Sequence, residues 1–543
     1  MKEQLIANLK QCLINLDFPL IEINIQRPKN IEHGDFASNI ALILAKPLKQ
    51  KPLEIAESIK LELEKQFKGN FESIDIAGPG FINFKLNKST LTNIIIDIIN
   101  ENEKYGRNNS GSNKRALIEF VSANPTGPLT VGHGRGAILG DTVSNILEWN
   151  GYDVEREYYF NNAGRQMQVL GKSVFSRYKE LLGKNGDFPD GGYEGKYIYE
   201  IAENVIEKHK NTLLESSDLT IFKQHAEFDI FEDIKRTLSK LGLKFDSFFN
   251  ENTLYENNAI KKVVNELKAK GLVYEKDGAT WFAASKAGRE TDRVIIKSTG
   301  EPTYRLPDIA YHCEKFSRGY NLIVDVFGAD HMDAYPDVMA AVQSLGHDSK
   351  KMKVLIHQFV TIMRDNKPVK MSTRKANFVT LDELIDEVGK DVVRFFFIMR
   401  GMNSHLNFDL DLAKKHSDEN PVFYLQYAHA RVCNIIKRAK AFGHNIDSKS
   451  DLSLLSKEIE YQLIQKLSEF PEIIERANKS LEPQIIANFI HDLAMVFHRY
   501  YAQEKVVTED KKLTAARLAL IEATRVVLLN GLTVLGISAP EKM

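Results

Sequence analysis

One stretch restricts the folds open to this chain more than any other: EFVSANPTGPLTVGHGRGAILGDTVSNILEW, Glu119–Trp149. It begins in a short apolar strand, Ala116 to Val121, and passes through a loop holding Asn124, Pro125, Gly127 and Pro128. It then enters a helix at Thr130-Val131-Gly132-His133, in which Leu139, Val143, Ile146 and Leu147 recur at helical spacing and predict one apolar face. Strand, Gly/Pro loop and helix open a nucleotide-binding α/β unit. Such a loop delivers an anion to a helix N-terminus, where unpaired N–H groups and the helix dipole favour negative charge. Glycine there lets backbone approach a ligand. On local pattern alone the same residues also fit a plain scaffold turn, with His133 as a cap or core side chain.

A second stretch, Pro368-Val369-Lys370-Met371-Ser372-Thr373-Arg374-Lys375, is a cation-rich loop that reads either as a solvated surface turn or as a clamp for phosphates. The totals narrow the setting. A chain of 543 residues is too long for one core and predicts three or four domains. With 43 % hydrophobic and 27 % charged residues it is ordinary for a globular protein. The net charge of −1 confines any nucleic-acid contact to local basic patches. Cys12, Cys313 and Cys433 lie far apart, with no CxxC pair and no zinc spacing, which predicts a reducing compartment and no structural metal. No apolar run reaches the ~18 residues of a membrane helix. Lys10, Gln11 and Asp17 interrupt any signal-peptide core. The expectation is a cytoplasmic protein away from membranes.

Taken in order, residues 1–105 read as an α+β module. Helical patterns cover Gln4–Leu16, Phe36–Leu48, Leu53–Phe67 and Leu91–Asn102, with strands at Glu22–Ile25 and Phe81–Phe84. Asp35 or Ser38 is placed to cap a helix. Lys104–Lys114, polar and rich in Gly, Ser and Asn, reads as a linker. Residues 115–400 alternate strands and helices, the pattern of a Rossmann-like parallel sheet. Strands are predicted at Ala116–Val121, Val154–Phe160, Thr280–Ala283, Val294–Ile296, Leu322–Val326 and Val354–Phe359. A helical insertion is expected at about 183–250. Residues 401–543 read as an all-α helix bundle, helical from Pro421. Further helices are predicted at Ser456–Ala477, Pro483–Tyr501 and Leu513–Leu529. Arg431, Lys437, Arg438 and Lys440 give the first bundle helix a basic side, which on its own fits a solvated face equally well.

The two stretches, in this order, resemble the His-Ile-Gly-His and Lys-Met-Ser-Lys signatures of class I aminoacyl-tRNA synthetases. Further segments make the whole chain resemble arginyl-tRNA synthetases: GFINF at Gly80–Phe84, EFVSANPTGPL at Glu119–Leu129, EYYFNNAGRQM at Glu157–Met167 and KSTGEPTYRLPDIAYH at Lys297–His312. VFGADHMDAY at Val326–Tyr335, KMSTRKANFVTLDEL at Lys370–Leu384, NPVFYLQYAHAR at Asn420–Arg431 and LGISAPEKM at Leu535–Met543 complete the set. Two signature positions depart from the family. Thr130 stands for the first histidine and Thr373 for the second lysine, with Arg374 and Lys375 adjacent. Asn162 stands where relatives often carry aspartate.

The resemblance implies a ligase that activates L-arginine with ATP and Mg²⁺, releases pyrophosphate and passes arginine to the terminal ribose of tRNA-Arg. It implies that the N-terminal module contacts the tRNA elbow, that the bundle grips the anticodon, and that the chain acts as a monomer. His133 and Lys370 are then the catalytic pair. Thr130, Gly132, His133, Gly134, Lys370, Met371, Ser372 and Arg374 are expected at ATP, with no metal held by the protein itself. Glu119, Ser122, Asn124, Tyr304, Asp308, Asp330 and His331 are expected at arginine. The rival reading is a tRNA-binding paralogue that kept the fold and lost catalysis. Retention of His133, Lys370, Asp308 and Glu119 together speaks against it.

Overall fold

The computed structural model describes residues 2–28, 33–67, 69–162, 164–369, 379–446 and 450–543. At its centre is a five-stranded, all-parallel sheet in the order Met352–His357, Leu322–Gly328, Arg115–Glu119, Asp153–Phe160, Ser247–Asn250. The chain starts in the middle strand, moves to one edge, then crosses back to the other side. The strand order therefore reverses beside Arg115–Glu119, where a parallel sheet opens a crevice at its carboxyl edge.

The helix Val131–Trp149 runs over this sheet, and its burial differs from the single apolar face expected. Side chains on every side of it are buried, including Arg135, Asp141, Thr142 and Ser144. It packs on the sheet below and against helices of residues 390–398, 470–480 and 511–534 above. Its glycines make that closeness possible. A Cβ at Gly140 would lie 2.2 Å from the Phe120 ring, at Gly134 2.5 Å from Leu381, and at Gly136 2.9 Å from His357 Nε2. These three positions serve packing, whereas a Cβ at Gly132 would meet only Thr130 Oγ1, at 3.7 Å.

The predicted strands Thr280–Ala283 and Val294–Ile296 exist, as Ala279–Phe282 and Arg293–Ile296. They belong not to the parallel sheet but to a separate antiparallel one with Val273–Lys276. Ser247–Asn250, within the stretch expected to be helical, is instead the edge strand of the central sheet. Three helices precede it, Arg165–Leu181, Lys196–His209 and Thr220–Lys240. In the N-terminal region Phe36–Ser38 is strand, not helix, because it pairs with Ile82–Phe84; the helix begins at Ile40. Phe71–Ala77 is a strand that the sequence reading missed. Asp35 caps nothing. Its carboxylate accepts the Leu86 N–H at 2.7 Å and the Gln465 amide at 2.6 Å, tying this sheet to the bundle. Ser38 Oγ donates to the Asn24 carbonyl and accepts the Ile40 N–H.

The Lys104–Lys114 stretch is packed rather than loose. Tyr105 is buried, stacks on Phe470 and donates to the Leu467 carbonyl, and Asn108 N donates to the Trp149 carbonyl. The expected helix Ser456–Ala477 is two, Glu458–Ser468 and Phe470–Ser480, the second starting with Pro471 in its first turn. Pro421–Ala441, Gln484–Gln503 and Lys511–Val534 complete the bundle. One connected set of buried apolar residues runs from Leu5 to Ile537 through the N-terminal region, the central helix and the bundle, and a second lies between the antiparallel sheet and the helix that starts at Arg305. Among the described residues no helix is long and apolar enough to cross a membrane, and the three cysteines form no disulfide.

Candidate active site

Parallel strands deliver the residues that follow them to one edge, so the crevice is lined by what comes after Glu119, Phe160, Asn250, Gly328 and His357. The helix Arg305–Ser317 leads into the strand Leu322–Gly328 and runs against it. Its first turn therefore reaches the same edge, which places Tyr304 and Asp308 there.

Below the crevice three carboxylates stand in one row across neighbouring strands: Glu119 pairs in register with Asp325 on one side and Glu157 on the other. All are buried and each has a cation. Lys315 bonds both Glu119 and Asp325, the latter at 2.7 Å, and Arg318 grips Glu157 with contacts of 2.6 and 2.8 Å. Glu119 also accepts the Ser122 hydroxyl at 2.7 Å. Burial pushes the Glu119 carboxyl up against the opposing pull of Lys315. Asp325, with Lys315 and His312 beside it, is held below its ordinary value although burial opposes this.

The chain leaves the first strand through strained backbone. Val121 and Ser122 both adopt positive φ, 71° and 41°, a costly conformation for a β-branched residue, found mainly where function demands it. This turn points Ser122 Oγ at Glu119, where it also accepts the Tyr159 N–H at 3.1 Å. Asn124 donates to Gln166 at 2.7 Å. Tyr197 holds the Pro/Gly loop by donating to the Thr126 carbonyl at 2.7 Å.

At the helix start Thr130 and His133 form a capping box. His133 Nδ1 accepts the Thr130 N–H at 3.2 Å, which leaves Nε2 as the protonated donor. Burial lowers the His133 pKa, so the ring is a neutral donor. Asp330, in the 3₁₀ turn Ala329–His331, is the acidic group that opposes this shift, and it acts likewise on His357. Asp330 and His331 are exposed and 3.7 Å apart.

Asp308 is half-buried and, among the described residues, has no ion-pair or hydrogen-bond partner for its carboxylate. Burial raises its pKa. Tyr304, at the helix N-cap, is 76 % exposed. Beside them is a residue that sequence reasoning missed. Glu251 is buried, meets the Tyr255 hydroxyl at 3.4 Å, forms no ion pair among the described residues, and burial plus the Asp308 carboxylate push it up to about 7. The buried Tyr159 hydroxyl lies beside it. No local motif marks Glu251; only the unpredicted strand Ser247–Asn250 brings it here. Two carboxylates without a cation thus stand together, within reach of a third that has one.

Lys370, Met371, Ser372 and Arg374 lie outside the described residues. Their flanks are described. Val369 N donates to the Ile362 carbonyl, and Thr380 forms an antiparallel bridge with Thr130, followed by Leu381 N donating to the Leu129 carbonyl at 2.8 Å. The residue departing from the first signature is thus joined to the chain just after the second.

Three family models cover almost the whole chain: "Arginyl tRNA synthetase N terminal domain" at residues 2–86, "tRNA synthetases class I (R), catalytic domain" at 94–397 and "DALR anticodon binding domain" at 425–543. The chain belongs to the arginyl-tRNA synthetase family. Its relatives agree along their full length. An arginine–tRNA ligase of Desulfotalea psychrophila is 49 % identical over 524 residues, covering 96 % of this chain and 94 % of the relative. One of Salinibacter ruber is 46 % identical over 562 residues and covers 100 % of both. The solved Thermus thermophilus arginyl-tRNA synthetase shares the fold, with a TM-score of 0.78 at 21 % identity and 100 % of both chains covered.

Proposed function

We propose that this member of the family joins L-arginine to tRNA-Arg in two steps. The arginine carboxylate attacks the α-phosphorus of ATP, the bond to pyrophosphate breaks, and arginyl-adenylate forms. The terminal ribose hydroxyl of the tRNA then attacks the activated carbonyl and AMP leaves. The observation that carries this reading is the pair Asp308 and Glu251. Every other buried carboxylate at this edge is ion-paired to a protein cation, and among the described residues these two are not. A planar guanidinium with five donors fits such a pair and satisfies both. An uncharged rival would leave both unpaired, which is how such pockets reject it.

Glu119, Tyr304 and Ser122 complete the guanidinium end in this reading, and Asn124 takes the α-amino end with Asp330 and His331 assisting. His133 Nε2 donates to the phosphate where charge develops. Thr130, Gly132 and Gly134 shape the helix start around ATP, although Gly134 is also needed for packing against Leu381. Lys370, Met371, Ser372 and Arg374 neutralise the leaving pyrophosphate, a task of positioning and positive charge. Among the described residues no group of three or more His, Cys, Asp or Glu could hold a metal ion. In this reading Mg²⁺ arrives on the ATP oxygens. We place the enzyme in the cytoplasm, acting as a monomer away from membranes, with the bundle at the anticodon.

Arginine-dependent exchange of pyrophosphate into ATP, measured with and without tRNA-Arg, tests the proposal. Exchange above the no-enzyme background is the expected result. A background rate with every component present rejects it in favour of a non-catalytic tRNA binder. Within an active enzyme, Lys370→Ala should lose kcat with little change in ATP KM, the mark of a contact made in the transition state; an effect confined to ATP KM rules out that role.

A further inference from the structure

Under the arginine pocket lies a charge layer that the two chemical steps do not use. Lys315 is fully buried, an uncommon place for a lysine, and reaches two carboxylates on adjacent strands, Glu119 and Asp325. Asp308, His312 and Lys315 recur at spacings of four and three on one face of a single helix. The element that presents Asp308 to the crevice therefore also carries the cation that holds Glu119. His312 joins the two levels. Its Nδ1 faces the Asp308 carbonyl at 2.6 Å and its Nε2 faces the Asp325 carboxylate at 2.9 Å.

We propose that Lys315 is a positioning residue for arginine selection: from beneath the pocket it orients Glu119 and keeps it an anion, while Asp325 and His312 set how much of the lysine's charge Glu119 receives. This rests on the proposed arginine site and assigns its specificity to groups that touch no substrate. With Lys315 in place, Glu119 offers a fixed carboxylate beside the unpaired Asp308 and Glu251. Without it, Glu119 and Asp325 face each other as like charges in a buried layer, and one of them takes up a proton. The other ionisable groups facing Glu119 are Tyr311 on the same helix, and Glu157 and Tyr159 on the neighbouring strand. Glu157 is already matched by Arg318, and Tyr311 donates to Glu157 at 2.6 Å.

The signs of the two charges give the test. Lys315 lowers the Glu119 pKa and Asp325 raises it. Lys315→Met should move the acid limb of the arginine kcat/KM profile to higher pH by about one unit or more, and raise arginine KM roughly tenfold near pH 7. Asp325→Asn should move that limb to lower pH. Glu251 also titrates in this region but is left in place by both substitutions, so the opposite displacements report on Glu119. ATP KM should stay unmoved in both. L-citrulline, the uncharged isostere, should compete better against arginine in Lys315→Met than in the parent enzyme. The double variant Lys315→Met/Asp325→Asn removes one charge of each sign and should recover arginine KM toward the parent value.

A purely structural lysine predicts otherwise: arginine and ATP constants moving together, and a double variant worse than Lys315→Met alone. Either result overturns the proposal, as do two limbs displaced in the same direction or not at all. Should Lys315→Met fail to fold, the near-isosteric Asp325→Asn decides alone, its limb moving down in support and staying or rising in refutation. A parent enzyme inactive in exchange would instead reject the function itself.

Discussion

The Asp308 carboxylate raises the cost of ionising Glu251, and in the proposed site a bound guanidinium would relieve it. Glu251 takes up its proton at about pH 7 in the free protein. Arginine bound as proposed would favour the ionised form and release that proton, so its affinity should rise as pH climbs from 6 to 8. A pH series of arginine kcat/KM should show this rise, and Glu251→Gln should flatten it while weakening binding throughout. Asp308→Ala should cost about 2–5 kcal/mol in arginine kcat/KM, because it breaks a buried charge pair with the substrate. ATP KM in the same variant should stay close to the parent value. Asp308, Tyr304 and Glu119 were legible as candidates from the resemblance and from the chemistry of a forked cation. Glu251 was not, because a single glutamate after a short strand carries no pattern. Nor did any pattern show that Glu119 pairs with a core lysine, Lys315.

At the scale of the element, the helix Val131–Trp149 has two jobs that its glycines divide. Gly140→Ala would push a methyl into the Phe120 ring, 2.2 Å away, in a fully buried layer. It should lower stability by about 1–3 kcal/mol in denaturant titrations. Gly132→Ala meets nothing closer than 3.7 Å and should leave stability nearly untouched, while ATP KM rises if this turn holds phosphate. The glycine-rich spacing signalled close approach, but not whether ligand or side chain is what approaches. Thr380 caps the helix Leu381–Val388 through a capping box with Glu383. Thr380→Ala should cost about 1 kcal/mol. Because Thr380 also bridges to Thr130, the same variant should disturb ATP binding more than arginine binding; equal effects on both would argue against that link.

Across the whole molecule, the parts are locked by buried polar ties as well as by apolar packing. Arg394 is buried, bonds Asp141 of the central helix at 2.5 Å, and donates to the Leu241 and Leu535 carbonyls, both at 3.1 Å. It thus joins the parallel sheet's helix, the end of the helical insertion and the C-terminal tail. Arg394→Met should destabilise the chain by somewhat less than the about 3–5 kcal/mol of a broken buried pair, since Arg156 remains 3.5 Å from Asp141. One cooperative unfolding transition should persist at a lower Tm. Arg27, bonded to Ser468 and Glu472, and Asp35, bonded to Gln465, tie the N-terminal sheet to the bundle in the same way. On the bundle surface Lys437, Arg438 and Lys440 are exposed, while Arg431 lies over the Tyr427 ring. If these cations meet RNA phosphates, tRNA affinity should fall linearly with log salt; a flat response would leave them as a solvated face.

The sequence alone determined what local periodicity and chemistry can encode: a parallel α/β centre, a helical C-terminal bundle, the glycine-rich helix start at Thr130–His133, and the acidic helix turn at Asp308. It missed what depends on partners far along the chain. Phe36–Ser38 is strand only because Ile82–Phe84 lies beside it, and Val131–Trp149 is buried on all sides only because the bundle closes over it. Tertiary structure alone decided which carboxylates keep a cation and which, among the described residues, form no ion pair. Ionisation in a buried layer is set by charges a few ångströms away in space, and Lys315, Glu119, Asp325 and Glu251 come from separate strands, a helix and a loop whose spacing in the chain says nothing of that proximity.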